Sequence, residues 1–283
     1  MKNSAILLVS CPDAKGEVAT IADFVFRHGG NILHADEHAD EESGLFLMRV
    51  EFDPRDFNFP LSEFDQHFSP VAQSFNMKWR LAQSTHRPRM LIFVSRYDHC
   101  LVDLLYRQKN GELACDIPLI ISNHPDNQAI ADFYRIQYEI VSVTKENKAH
   151  AEGRIYQLID EYRPDFMVLA RYMQILSNEF VNRYPQRIIN IHHSFLPAFV
   201  GARPYHQAFE RGVKLIGATS HYVTQVLDDG PIIEQDVVRV SHRDTVEDLI
   251  RKGRDLEKVV LSRAVRSHVE NRVLVYGNKT VIF

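Results

Sequence analysis

Residues 188–207 read IINIHHSFLPAFVGARPYHQ, and residues 221–231 read HYVTQVLDDGP. The first stretch opens on four residues, 188–191, that are mostly β-branched and apolar, the pattern of a strand buried on both faces. Asn190, His192 and His193 stand at its end, followed by Ser194 and a proline-containing loop. Polar groups at the C-terminal end of a buried strand in an α/β sheet are where ligands usually sit. Some thirty residues on, 215–223 reads as a second strand that runs into a loop holding Asp228, Asp229 and Gly230. An amide, an imidazole and a carboxylate are thus expected to converge at neighbouring strand ends. Asparagine can donate to a developing oxyanion, histidine can move a proton near neutral pH, and aspartate can hold the imidazole or help activate water. The same three residues also read as a turn cap, a satisfied core histidine and a turn aspartate, and spacing alone does not choose between the two.

Outward from this core the chain alternates strand and helix. Strands are expected at 90–95, 117–123, 138–143, 166–170 and 232–240, with helices between them, one of them capped by Ser177 with Glu179 in its first turn. A long amphipathic helix is expected over 244–269, then a terminal hairpin turning at Gly277-Asn278. Strand–helix alternation predicts a doubly wound, mostly parallel, Rossmann-like sheet. Ahead of it, residues 4–82 follow the order βαββαβ, a ferredoxin-like unit, and the polar stretch 83–87 reads as a linker. The expected domains are 1–84 and 85–283, each large enough to bury its own core.

Composition narrows the function classes. Hydrophobic residues make up 45% and charged residues 25% of 283, and the net charge is −4, so no basic footprint points to nucleic acid or anionic membrane. No apolar run approaches the roughly 20 residues that span a bilayer. The start, MKNSAILLVSCPDAKG, lacks a long apolar core and a small-residue cleavage site, so it reads as a first strand and the expected location is the cytoplasm. Cys11, Cys100 and Cys115 are scattered and odd in number, against a disulfide framework or a zinc site. His192, His193, His206, His221 and Asp228 can be drawn as metal ligands. No HExxH occurs, however, and adjacent histidines on a strand point to opposite faces, so no metal is expected. Ser194 lacks a G-x-S-x-G elbow. The turn after the strand at 90–95 is Ser-Arg-Tyr-Asp-His-Cys, without the glycines that let backbone approach a pyrophosphate.

Asn190-Ile191-His192, Leu196-Pro197 and Leu227-Asp228-Asp229-Gly230-Pro231 resemble the signature of the folate-dependent formyltransferase family. The resemblance implies Asn190, His192 and Asp228 as catalytic residues. It also implies a folate pocket lined by Met173, Gln174, Leu176 and Val181 and by the 224–228 loop with Thr224, Gln225 and Leu227, with Arg171, His193 and His221 as further binding residues. Within the family, Asn-Ile-His-His-Ser-Phe-Leu-Pro, with Ala170-Arg171-Tyr172-Met173-Gln174 upstream, is similar to the deformylase branch. Where transferases to glycinamide ribonucleotide usually carry proline, this chain has His193. The glycine-poor turn at 95–100 points the same way, because those transferases hold their acceptor's phosphate on a Gly-rich turn there.

The implied reaction is therefore hydrolysis of 10-formyltetrahydrofolate to tetrahydrofolate and formate, feeding purine biosynthesis and balancing one-carbon units. Folate and water are the implied partners, with no separate cofactor. Arg203 stands where the deformylase pattern usually has lysine. Cys11-Pro12-Asp13, Gly16 and His28–Ile32 resemble ACT domains, which implies an oligomerisation unit, an amino-acid effector site, or both. A formyltransferase to a small amine and a catalytically silent amino-acid sensor are the alternatives, opposed by the missing phosphate cradle and by the intact Asn-His-Asp set respectively.

Overall fold

The structure, a computed structural model, describes residues 3–198 and 203–283. The chain divides into two compact units, one of residues 1–87 with 270–276 and 280–283, the other of 88–269 with 277–279.

In the first unit the elements are β1 (Ala5–Pro12), α1 (Glu17–Arg27), β2 (Asn31–Asp40), β3 (Leu45–Asp53), α2 (Phe64–Ser74) and β4 (Lys78–Gln83), with a 3-10 turn just before α2. The sheet order is β2-β3-β1-β4 and its pairs are antiparallel, which is the ferredoxin-like arrangement. Period-two alternation puts Ala5, Leu7, Val9 and Cys11 of β1 beside Phe46, Met48, Val50 and Phe52 of β3 in one core. Helical spacing sends Ile21, Phe24 and Val25 of α1 and Phe64, Phe68 and Ala72 of α2 into the same core.

The second unit carries β5 (Arg89–Val94), α3 (His99–Lys109), β6 (Asp116–Ser122), α4 (Gln128–Tyr134), β7 (Gln137–Ile140), α5 (Lys148–Tyr162), β8 (Phe166–Ala170), α6 (Asn178–Arg183), β9 (Ile188–His192), α7 (Pro204–Arg211), β10 (Leu215–Tyr222), β11 (Ile232–Arg239) and α8 (Val246–Val269). Its seven strands run in the order β11-β10-β9-β8-β5-β6-β7. β5 to β9 are parallel, whereas β10 is antiparallel to both β9 and β11. β5 and β8 are buried along almost their whole length, which explains their unbroken apolar runs. The chain winds one way from β5 through β6 to β7 and returns to β8 on β5's other side. The ends of β5 and β8 therefore form a topological switch point, where ligands bind in open α/β sheets.

The short helix α7 was not expected from the sequence. Its polar composition hides it, although Pro204 at its first position and the left-handed Gly212 at its C-cap are the signals that mark it. α8 begins at Val246 because Thr245 and Asp248 cap it reciprocally, Asp248 N–H donating to Thr245 Oγ1 at 3.2 Å and Thr245 N–H to Asp248 Oδ2 at 3.0 Å. The terminal hairpin, β12 (Val273–Tyr276) and β13 (Lys279–Ile282), groups with the first unit except at its tip. The domain boundary expected from the sequence, 85–283, places this hairpin with the second unit instead. All three cysteines are buried, and none is disulfide-bonded.

Candidate active site

β9 and β10 place Asn190 directly opposite His221, and His192 opposite Thr219. Asn190 and His192 are two residues apart and so share a face. His221 Nδ1 lies 3.0 Å from the Tyr222 carbonyl, and its Nε2 lies 3.2 Å from Asn190 Nδ2. A carbonyl only accepts, so Nδ1 carries the proton and Nε2 accepts from the amide. Burial lowers the pKa of His221, which keeps the ring neutral for that role. Asn190 is thereby held by one amide hydrogen, with its second free for the cavity.

Asp228 arrives by a route the sequence did not suggest. Because β10 is antiparallel, its end lies beside Ile189 rather than at the His192 end of β9. The segment 223–231 closes at its base, Tyr222 N–H donating to the Pro231 carbonyl at 2.9 Å, and Asp228 turns back in the left-handed region at φ 55. Gly230 allows this: a Cβ there would sit 1.7 Å from the Tyr222 carbonyl oxygen. Asp228 Oδ2 comes to 3.2 Å from His192 Nδ1, and Oδ1 to 3.8 Å from His221 Nε2. Burial works to raise the aspartate's pKa, but the His192 hydrogen bond and the neighbouring imidazoles outweigh it and leave the group below the usual carboxylate range. His192 is 4% exposed, and its Nε2 is buried with no hydrogen-bond partner among the described residues. With Nδ1 on the carboxylate, Nε2 is the edge offered to a reactant.

These groups line a cavity of about 560 Å³. Arg171, Met173, Gln174, Leu176, Val181, His193, Thr224, Gln225 and Leu227 line it too, together with Asn190, His192, His221 and Asp228. One lobe is apolar, and Met173, Ile175, Val226 and Leu227 are exposed large side chains along it, a grouping that marks a binding surface. Ser177 caps α6 through its Oγ, 3.1 Å from Phe180 N, and so fixes the helix that carries Val181.

The other lobe is polar and was mostly missed by the sequence reading. Glu257 of α8 is 1% exposed. Its Oε1 accepts from the Tyr205 hydroxyl at 2.5 Å, its Oε2 lies 2.7 Å from His99 Nε2, and Arg171 Nε stands 3.5 Å away. Burial works to raise Glu257's pKa, but the His99 hydrogen bond and the Arg171 charge hold it at about 2. Gly253 makes room for Tyr205, whose hydroxyl would lie 2.1 Å from a Cβ at that position. The local signal was a glutamate one turn from Gly253 and Leu261 on the buried stripe of an amphipathic helix. His193 faces this lobe, and burial followed by the Arg171 charge lowers its pKa to about 3, so it is neutral at physiological pH. His99, Cys100 and Glu257 bring possible ligand atoms within 4.8 Å of one another. The carboxylate there is already shared, and the adjacent guanidinium opposes a cation. Arg203 lines the same cavity, whereas Asp236 pairs with Arg263 at 3.0 Å outside it.

The fold is that of a formyl transferase domain, and a sequence model of the formyl transferase family matches residues 88–265. A solved glycinamide ribonucleotide transformylase 1 from Symbiobacterium toebii superposes on 70% of this chain and 95% of its own, with a TM-score of 0.66 and 30% identity. Likeness over the whole length is greater elsewhere. The formyltetrahydrofolate deformylase of Synechocystis sp. is 56% identical over 280 residues, 99% of this chain and 98% of that relative. The Bacillus subtilis protein of the same name is 48% identical over 278 residues, 98% of this chain and 93% of that relative. A crystal structure of a formyltetrahydrofolate deformylase from Pseudomonas syringae pv. tomato covers 100% of this chain and 95% of its own at a TM-score of 0.98 and 49% identity. The chain belongs to the formyltetrahydrofolate deformylases.

Proposed function

We propose that the protein hydrolyses 10-formyltetrahydrofolate to tetrahydrofolate and formate. The observation that carries this reading is the His192 ring, held at Nδ1 by an ionised Asp228 and presenting a buried, unpartnered Nε2, with the Asn190 amide on the same face of β9. The pteridine lies in the apolar lobe between the 173–176 and 224–227 segments, which supply packing on both sides and backbone polar groups at their edges. The formyl group then faces Asn190 and His192. Water, oriented by Asp228 and His192, adds its oxygen to the formyl carbon. Asn190 and protonated His192 donate to the oxyanion of the tetrahedral intermediate. Asp228 compensates the charge on the imidazole and relays the water's proton towards N10, so that the carbon–N10 bond breaks as N10 takes it up. Formate leaves as the anion, its remaining proton going to solvent. His193, neutral and larger than proline, fills the acceptor side where an amine would otherwise approach.

On this reading folate and water are the only reactants, no metal or organic cofactor takes part, and the second unit is the catalytic domain. The ferredoxin-like unit, about residues 1–84, acts as an ACT-type module that assembles the chain into a homo-oligomer and offers a site for an amino-acid effector. Its ACT-like residues at 11–16 and 28–32 support that assignment. The net charge of −4 supports a cytoplasmic enzyme without a basic surface for nucleic acid or anionic membrane.

The test is formate release from 10-formyltetrahydrofolate by the purified full-length chain, with no amine and no added metal. Release that collapses in Asp228→Asn is the expected result. Turnover that appears only when an amine acceptor is supplied would replace the hydrolase reading with a transferase.

A further inference from the structure

The polar lobe contains a cation that none of the steps above uses. Arg171 sits at the end of β8 in the left-handed region, φ 62, a conformation that is uncommon for a non-glycine residue and clusters at functional sites. Its side chain is 9% exposed, and its Nε is buried without a hydrogen-bond partner among the described residues. Glu257 is its counter-charge but not its acceptor. The carboxylate oxygens of Glu257 take their short bonds from Tyr205 and His99, and Arg171 is left at 3.5 Å. A buried guanidinium whose Nε has no acceptor within hydrogen-bond geometry is a costly arrangement unless something accepts from the group.

The surroundings say what that acceptor is. Arg171 Cζ and Arg254 Cζ lie 5.4 and 5.1 Å from the same Tyr97 ring centroid, so two like charges meet at one aromatic. Both arginines and Tyr97 line the cavity that also holds His193 and His192. The backbone here is pinned to the switch point of the sheet: Ser95 N–H donates to the Arg171 carbonyl at 3.3 Å, and Met173 N–H donates to Ser95 Oγ at 2.9 Å. His193 bridges the two halves, its ring centroid 5.3 Å from His192 and 5.9 Å from Tyr205. A small anion released at the formyl carbon therefore shares its cavity with two guanidinium groups, only one of which faces the Glu257 carboxylate.

From this geometry we infer that Arg171, with Arg254 and His193, forms a monocarboxylate subsite that receives the formate product on the acceptor side of the cavity. Formate has two oxygens in one plane, which suits the paired N–H groups of a guanidinium. The subsite separates formate from tetrahydrofolate after the carbon–N10 bond breaks, so the two products occupy different lobes and bind together. This inference rests on the hydrolysis reading for the origin of formate, but its binding test does not require turnover.

The experiment is a titration of the full-length protein with 13C-formate, followed by 13C line broadening, with and without saturating tetrahydrofolate. Saturable binding is expected in both conditions. Arg171→Lys keeps a counter-charge for Glu257 but removes the planar fork, and is expected to raise the formate dissociation constant at least tenfold. Arg254→Gln, at an exposed position, is expected to raise it severalfold, and carries the test should Arg171→Lys fail to fold. Absence of saturable binding, or unchanged binding in the folded variants, overturns the assignment. Displacement of formate by tetrahydrofolate overturns it in favour of a site for the folate's own carboxylates. Displacement by inorganic phosphate at lower concentration than by unlabelled formate overturns it in favour of a phosphate site. A protein that binds 13C-formate as described but releases none from 10-formyltetrahydrofolate would keep the subsite and sink the hydrolase reading alone.

Discussion

Gly230→Ala tests the way the site is assembled without touching a reacting group. The added Cβ would lie 1.7 Å from the Tyr222 carbonyl oxygen, 2.9 Å from its carbonyl carbon and 3.2 Å from Thr224 Cγ2. The first two are backbone atoms of β10, buried in the sheet, so the loop has to retreat rather than the strand. Relieving the overlap moves the 228–230 segment by more than about 1 Å, and displacements of that size cost on the order of 10²-fold in rate. Asp228 is two residues away and meets His192 Nδ1 at 3.2 Å, so the same retreat breaks the contact that orients the imidazole. The expected outcome is a fall in kcat of about 10²-fold with the circular dichroism spectrum and cooperative melt retained, measured as formate release under saturating 10-formyltetrahydrofolate. Thr224 and Leu227 share the loop, so KM rises as well. Gly153→Ala, in the middle of α5 with nothing within 4 Å of its Cβ, is the control. It should leave kcat unchanged and stabilise the helix by about 1 kcal/mol. A Gly230→Ala enzyme with kcat within about threefold of the parent would refute the argument that this close approach sets the carboxylate, since even a tenth of the expected loss exceeds that.

Asp228→Asn keeps the shape but removes the charge that His192 Nδ1 faces, and is expected to lower kcat by roughly 10²–10⁴-fold with little change in melting temperature. Asn190→Ala removes an oxyanion donor and is expected to lose about 10²–10³-fold in kcat. It also frees His221 Nε2, so a shift of the His221 imidazole resonance in NMR accompanies the loss. The protein should be acid-labile. His193 titrates near 3 when folded against an ordinary value of 6.5, so between those values the unfolded chain binds a proton that the folded chain does not, and stability falls as pH drops through that window. Glu257, held at about 2 against 4.5, acts in the same direction over its lower window. Each group's slope is up to about 1.4 kcal/mol per pH unit, and His193→Asn should flatten the decline between pH 6 and 4 in urea titrations, where an unchanged profile would remove His193 from this account. Ser177→Ala deletes the cap on α6 and should cost about 1 kcal/mol in the same titrations.

Much of this protein was legible in the chain because the relevant signals are local. The unbroken apolar runs of β5 and β8 and the helical spacing of α1 and α8 depend only on which faces are buried, and the pattern in the sequence records that directly. Asn190, His192 and Asp228 were readable as candidates, two residues of like parity on one strand and a carboxylate in a turn, although spacing alone fitted a cap, a core histidine and a turn aspartate equally well. What joins them was not. The antiparallel sense of β10 puts its end at the wrong end of β9, and Asp228 reaches His192 only because Gly230 lets the loop press on the Tyr222 carbonyl. Strand direction is set by how helices and loops pack around the sheet, which no window of neighbouring residues contains. Glu257 makes the same point more sharply. On its own helix it is one charge among many, and only the folded chain brings His99, Tyr205 and Arg171 around it. These partners lie 158, 52 and 86 positions away along the chain. Local sequence determines which residues can do chemistry, because side-chain chemistry and burial period are local properties. Tertiary structure decides which of them meet, because contact between distant residues is set by the packing of the whole sheet.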